Sequence, residues 1–438
     1  VTPDPLTRLF RACNPNEALQ PSDPRFVQCD SARHGGVAAQ LAIEFLRADP
    51  SKPMHRLFTG HIGVGKSTEL LRLKKLLETP EGTRLEAIYF DVNEHLDPND
   101  LKLADLLVLI ASQVSDYLEK RKLPGFTPTN LALQRFWDHV KQLSGSEVTL
   151  SEASFEGGIA SLTTEIKQGA PSQREVLRKA INAQRTTLRA GVNDLLQMAT
   201  QALQNAKKKD KPAQGLVIII DGLEKLPGDQ HEDLFFEGCE QMTDLAAHTV
   251  YTVPMSLAYH TRFSTLTQAF GHQPVPLPML HFDAPGGMEC LHALLNARFD
   301  AAEILPSDVF DDAATRDRLC RQTGGHLRHL FMFLQSASTK VDTLPITVAA
   351  VESALRDYRQ ALARQISGTF WPWLRRFRDG SLASLPDDLP DDIRRDLLHQ
   401  LLVYEYANGE PRYDVNPVIR DLHNFSHGDP APVVSRPF

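Results

Sequence analysis

Cysteine is scarce in this 438-residue chain: Cys13, Cys29, Cys239, Cys290 and Cys320 lie far apart, and their number is odd. No pair has metal-ligand spacing, which excludes a zinc ribbon or a disulfide-dense scaffold; reduced thiols in a cytosolic protein are expected. Long hydrophobic runs are missing as well. No apolar stretch reaches the roughly 18 residues of a membrane span, so no membrane association is expected. The opening "VTPDPLTRLFRACNPNEALQPSD" has no basic start leading into an apolar core, so it does not read as a signal peptide. Positive charge is in deficit, with 47 Lys and Arg against 55 Asp and Glu and a net charge of −8. That balance excludes an indiscriminate, histone-like nucleic-acid binder, although it says nothing of local patches. The histidines show no ligand spacing, so neither a metal hydrolase nor a Ser-His-Asp enzyme finds support. No repeat of 20–50 residues is present.

What the chain does have is alternation of short apolar runs with helical patterns. The first thirty-odd residues, rich in Pro, Asp and Asn, read as an extended surface segment. "GGVAAQLAIEFLRAD" (35–49) has helical spacing, and so does "STELLRLKKLLET" (67–79). Five runs read as strands: "MHRLFTG" (54–60), "LEAIYFDV" (85–92), "GLVIIIDGLEKL" (215–226), "HTVYTVPM" (248–255) and "PVPLPMLHFD" (274–283). Buried runs separated by helices favour a parallel sheet covered on both faces. A long helical stretch fills 97–212, broken by a mobile loop expected at 142–158. Residues from Gly286 to about Ala363 are helical in pattern. Near the end, "DDIRRDLLHQLLVYEYANGEPRYDVNPVIRDL" (391–422) reads as helix, strand, Asn408-Gly409 turn and strand.

The stretch between the first strand and the second helix carries chemistry. "GHIGVGKST" matches G-x-x-x-x-G-K-[ST] in full, with Gly60, Gly65, Lys66 and Ser67 at the fixed positions and Gly63 and Thr68 beside them. Glycines let backbone N–H groups turn inward on an anion, and the positive end of the following helix adds to the cradle. ATP is the expected ligand. Lys66 would reach its β- and γ-phosphates, and the Ser67 hydroxyl would join the Mg²⁺ shell. Such a loop calls for an acid at the end of another apolar strand. "LVIIIDGLEK" supplies Asp221 for Mg²⁺, with Glu224 three residues later to orient or activate the attacking water, or simply to pair with a lysine. Thr252 in "VYTVP" and Arg328 in "TGGHLRHL" (323–330) are candidate γ-phosphate sensors, the first from a strand and the second from the first turn of a helix. Each has an ordinary structural alternative, as a β-branched strand residue and as a solvated arginine.

These segments together resemble the STAND class of P-loop ATPases, relatives of AAA+ proteins and origin-recognition-type initiators. The resemblance runs over roughly 20–425 and rests on "GHIGVGKSTELLRL", "IIIDGLEK", "VYTVP", "GGHLRHL" and the terminal hairpin. The D-G-L-E spacing is like the STAND pattern, whereas typical AAA+ proteins place Asp and Glu side by side. The resemblance implies an α/β P-loop fold with a five-stranded parallel sheet in which the Asp221 strand lies beside the phosphate-loop strand. It implies an N-terminal segment and adenine-side lead-in (1–48), a core (49–283, with the insertion at about 97–212), a helical lid (284–366), a winged-helix domain (367–428) and a tail (429–438). Residues 23–35 are similar in position to the segment that wraps the adenine. A neighbouring subunit often supplies an arginine in such proteins; Arg298 and Arg262 are the candidates here.

The function so implied is a slow, Mg²⁺-dependent ATPase that acts as a cytoplasmic switch. It would form an ATP-dependent homo-oligomer and control a separate effector protein, with bacterial anti-phage defence as a setting drawn by analogy. The insertion is the candidate partner surface, or else a structural brace. The alternative is a DNA-associated AAA+ ATPase of replication or transposition, with Arg394, Arg395, Arg412 and Arg420 as contacts to DNA. Asp387, Asp388, Asp391, Asp392 and Asp396 around the same helix favour a protein-docking unit instead, and "KKKDK" (207–211) reads as a solvated loop. A small-molecule kinase would leave the lid and terminal domain unexplained.

Overall fold

A computed structural model of the chain describes residues 3–33, 35–49, 51–79, 84–121, 167, 171–205, 213–406 and 411–431. The expected loop at 142–158, the "KKKDK" run and the Asn408-Gly409 turn lie outside the described residues.

All five expected strands form, in one parallel sheet: β1 (His55–Thr59), β2 (Leu85–Asp91), β3 (Gly215–Asp221), β4 (His248–Val253) and a two-residue β5 (Val275–Pro276). Their order is β2-β3-β4-β1-β5. The Asp221 strand is therefore not beside the phosphate-loop strand, as the family resemblance implied. Strand β4, which carries Thr252, pairs with both and separates them. A parallel crossover leaves either neighbour sterically open, so strand order could not be read from the runs.

Strand alternation sends side chains to two cores. Val217, Ile219 and Val250 pack with helices α1 (Val37–Arg47) and α2 (Lys66–Leu77) on one face. Leu216, Ile218, Ile220 and Tyr251 pack on the other face with helices α3 (Leu103–Arg121) and α4 (Arg185–Asn205). The described helices of the 97–212 stretch thus form the second covering layer of the sheet, as the brace reading had it.

A third core joins the helices that follow the sheet. These are α5 (Gly287–Ala301), α6 (Ala313–Gln322), α7 (Leu327–Ser338) and α8 (Val348–Gln365), packed with α9 (Asp391–His399) and the antiparallel pair β6 (Val403–Tyr406) and β7 (Arg412–Val415). The N-terminal segment is not merely extended. Pro5–Ala12 forms a helix whose first turn is capped by the Asp4 carboxylate, and its Leu9 is buried in this third core. Cys29 and Cys290 are bonded as a disulfide across 261 residues, while Cys13, Cys239 and Cys320 are free and buried. The pairing corrects the expectation of reduced thiols throughout: the N-terminal segment folds back onto α5, a contact invisible in linear spacing.

Candidate functional site

The three glycines of the loop after β1 take positive φ, and two of them are obligatory. At Gly63 (φ 87°) a Cβ would sit 2.8 Å from the Cβ of Arg328 and from a His326 ring carbon. At Gly65 (φ 103°) the chain turns in the left-handed region directly into α2. The loop therefore ends on the first turn of a twelve-residue helix, where free N–H groups and the helix dipole favour an anion.

Lys66 lies back across this loop. Its Nζ donates to the carbonyls of Gly60 (2.9 Å) and His61 (3.0 Å) and sits 3.3 Å from Glu224 Oε1. Lys66 and Glu224 are both buried. Two strand intervals, about 10 Å, separate β1 from β3. The lysine bridges that gap, so the loop and the acid at 224 face one another despite the intervening strand.

The acidic turn is built on a close approach. Asp221 ends β3 in register with Asp91 at the end of β2. Gly222 (φ 88°) follows, and a Cβ there would fall 2.1 Å from both Asp91 Oδ1 and Asn93 Nδ2. Only glycine fits, so the second acid cannot stand next to Asp221 and arrives at 224 instead. Asp91 is itself tied down, pairing with Lys225 at 2.9 Å and accepting from the Asn93 N–H at 2.9 Å. Thr252, fully buried, accepts the Leu223 N–H at 3.0 Å and so braces the turn that presents Glu224.

Asp221 is fully buried. Burial first, then the charge of Glu224, push its carboxyl up to about 6, against the Ser67 and Tyr89 hydroxyls, which favour the ionised form. Burial also opposes ionisation of Glu224, but the Lys66 ammonium and then the Thr252 hydroxyl outweigh it and hold that carboxyl below the ordinary range. Glu224 Oε2 has no hydrogen-bond partner. Helix α7 contributes Arg328, whose backbone N–H donates to Gly63 O at 3.2 Å and whose Nε is buried without a partner. Burial lowers the Arg328 pKa, and nearby Glu224 opposes that shift.

These groups line one cleft of about 470 Å³, in which Gly63, Gly65, Lys66, Ser67, Thr68, Tyr89, Asp91, Glu224 and Arg328 are neighbours. It runs into a narrower cavity of about 90 Å³ walled by Phe26, Val27 and Cys29 on the N-terminal side and by Leu294 of α5 and Leu327 and Phe331 of α7. Thr68 stitches the two together by accepting the Leu19 N–H at 3.2 Å. Of the sequence-derived residues the cleft brings together Gly63, Gly65, Lys66, Ser67, Thr68, Glu224 and Arg328, while Asp221 and Thr252 are fully buried and do not line it. Missed in the sequence were Tyr89, Asp91 and His61, whose signal is only their position next to a strand end or inside the loop.

Magnesium is implied by the loop motif, and the donors present fit it. A serine hydroxyl and a carboxylate are hard oxygen ligands of the kind that Mg²⁺ takes. Among the described residues no cluster of three or more His, Cys, Asp or Glu side chains could form an all-protein cage. A phosphate-bound Mg²⁺ needs none.

Of the two candidate trans-acting arginines, Arg298 is buried and donates to Arg25 O while lying over the Phe331 ring, 4.2 Å from its centroid. It belongs to the cavity wall and not to a surface that a neighbour could meet. Arg262 pairs with Glu237 at 2.8 Å.

The architecture and the loop define an α/β P-loop fold. No family model matches the chain, and no curated protein matches it. Solved structures similar to it include the Walker-type ATPase PABY2304 of Pyrococcus abyssi, at 14% identity, covering 93% of this chain and 98% of that one with a TM-score of 0.47. Two others are from Aeropyrum pernix. The ORC2 protein in its ADP form is 13% identical, with 93% of each chain covered and a TM-score of 0.43. The ORC1 protein in complex with DNA is 15% identical, with 94% and 96% covered and a TM-score of 0.39. Likeness at this level leaves the functional reading to the site itself.

Proposed function

We propose that this chain binds ATP with Mg²⁺ and hydrolyses it slowly, and that the nucleotide sets the position of the lid. The observation that carries the reading is the meeting of Lys66, Ser67, Glu224 and Arg328 around one cleft, with Glu224 Oε2 and Arg328 Nε buried and unpartnered and Asp221 bonded to the cleft-lining Tyr89. Buried polar atoms left unpartnered call for an explanation, and a catalytic or ion-binding role is one.

In this reading Lys66 exchanges the Gly60 and His61 carbonyls for the β- and γ-phosphates, and the loop glycines present N–H groups to the same oxygens. Ser67 and Asp221 hold the metal, which supplies charge neutralisation across the phosphates. Freed of Lys66, Glu224 turns Oε2 to the attacking water, while Thr252 keeps its turn in place. Arg328 closes on the γ-phosphate from the lid. Moving the lid between states populated 1:99 and 99:1 requires ~5.5 kcal/mol of differential binding, which several charge-assisted contacts to one phosphate can supply. Calorimetry tests the core of this. ATP with Mg²⁺ binds the wild type and not Lys66→Ala; a folded wild-type protein that shows no association would overturn it.

In the finer reading the chain is a STAND-like switch: residues 284–366 act as the lid, 367–428 as a winged helix, and ATP drives self-assembly that controls a separate effector protein. Defence against phage is one setting for such a switch. The second reading, a DNA-associated ATPase, has one specific feature to work with, since Arg412 is exposed on β7 and is in no ion pair among the described residues, its Nε donating to Ser381 Oγ at 2.7 Å. The other candidate contacts are engaged: Arg395 with Glu232 at 3.4 Å, Arg420 with Asp414 at 2.5 Å, and Arg394 with Asp391 at 3.5 Å. A salt titration on random duplex DNA separates the two. Affinity falling steeply with salt supports the DNA reading; absence of binding at low salt supports the switch.

A further inference from the structure

Tyr89 stands on β2, two residues before the strand end, and is one of the residues lining the phosphate cleft. Its hydroxyl donates to Asp221 Oδ2 at 2.7 Å, across the sheet from the neighbouring strand. The other oxygen, Oδ1, accepts the Gly222 N–H at 2.8 Å. The two oxygens of the carboxylate are thus each held, one by the backbone and one by Tyr89, with the Ser67 hydroxyl as a further donor to the group. A carboxylate held at both ends cannot rotate about its Cβ–Cγ bond.

We infer that Tyr89 is a positioning residue for the metal: by donating to Asp221 Oδ2 it fixes the carboxylate in the plane from which it meets Mg²⁺ carried in on the nucleotide. The inference rests on the nucleotide-binding reading above and extends it to a residue outside the two acidic and glycine-rich motifs. Tyr89 is assigned no contact with the metal itself: it acts through Asp221, and its hydroxyl also lies within reach of Ser67. Neighbours that orient a metal ligand change metal affinity about 10–100-fold when removed. A residue that merely filled space would change stability and leave metal affinity alone.

Tyr89→Phe removes the hydroxyl and keeps the ring, so packing on β2 is preserved. ATP affinity is measured by calorimetry for wild type and variant, once in EDTA and once in Mg²⁺, with chemical denaturation run alongside. Mn²⁺ then replaces Mg²⁺, and the free ion is counted by electron paramagnetic resonance. The expected result is unchanged affinity in EDTA, with the gain from Mg²⁺ reduced about tenfold or more and Mn²⁺ bound more weakly by a similar factor. Equal metal-dependent gains in the two proteins overturn the inference, and so does a parallel loss of affinity with and without metal. A wild-type protein with no metal-dependent gain overturns the nucleotide–metal reading itself, a different outcome from the first two. Should Tyr89→Phe be less stable, the Mg²⁺-dependent gain is compared at a temperature where denaturation shows both proteins folded: a full gain there overturns the inference, and a loss of about tenfold or more supports it.

Discussion

Gly222→Ala puts a single methyl group where the structure has no room for one. The added Cβ would lie 2.1 Å from Asp91 Oδ1 and 2.1 Å from Asn93 Nδ2, at a φ of 88° that L-residues avoid. The conformation alone costs ~1–2 kcal/mol. Making space means turning Asp91 away from the Asn93 N–H and Lys225, bonds of 2.9 Å each, at about 1 kcal/mol apiece. The sum is about 3–4 kcal/mol, which is more than a hundredfold in the folding equilibrium at 1.4 kcal/mol per decade. Urea denaturation of wild type and variant at pH 7 reads this directly from the midpoint at constant slope. Gly222→Glu, which creates adjacent acids, should cost at least as much and should not rescue a Glu224→Gln protein. A Gly222→Ala midpoint within about 0.5 kcal/mol of wild type, the spread of an ordinary surface change, would refute the claim that close approach dictates where the second acid stands.

Four further outcomes follow from the same geometry. Lys66→Ala abolishes ATP association in calorimetry; it also leaves Glu224 buried without its cation, so it lowers unfolding free energy by ~3–5 kcal/mol, and Lys66→Ala/Glu224→Gln recovers part of that loss in urea melts. Glu224→Gln retains binding, stops phosphate release and holds an ATP-bound assembly, which light scattering detects with and without ATP and Mg²⁺; a monomer under both conditions counts against assembly. Burial holds His61 and His326 down to about 3, so below pH 6.5 the unfolded chain binds protons that the folded one refuses; stability therefore falls with pH toward 3, at ~1.4 kcal/mol per pH unit for each histidine. Asp221, raised from its ordinary 3.8 to about 6, acts in the opposite sense between those two values, and Asp221→Asn should steepen the fall there. Reducing Cys29–Cys290 should lower stability by ~2–4 kcal/mol, read as the difference between melts with and without a thiol reductant.

The fold class was legible because its evidence is local. A glycine-rich loop between an apolar run and an amphipathic helix points to a phosphate-loop fold, and β1, β2 and β4 appear within a residue or two of their expected bounds, while β3 starts as expected and ends at Asp221, five residues short of 226. Lys66 and Glu224 were picked out on the same local grounds, and their side chains lie 3.3 Å apart. Order within the sheet was not legible, because the crossovers leave β4 free to take either side of β3. The Cys29–Cys290 pairing and the Arg328–Gly63 contact join segments more than two hundred residues apart, and linear spacing carries no trace of either. Tyr89 escaped notice because a tyrosine in "LEAIYFDV" is simply a good strand former; only the register of β2 against β3 sets its hydroxyl on the acid.

His61 occupies a peculiar place in the phosphate loop. Its carbonyl receives the Lys66 ammonium, and its ring accepts the Glu405 N–H at 2.7 Å from β6. Glu405 in turn takes the Tyr259 hydroxyl at 2.6 Å, just past the end of β4. The C-terminal hairpin therefore leans on the loop and on the Thr252 strand through one residue. Any rearrangement that draws the lysine forward tugs on the anchorage of a unit more than three hundred positions away along the chain.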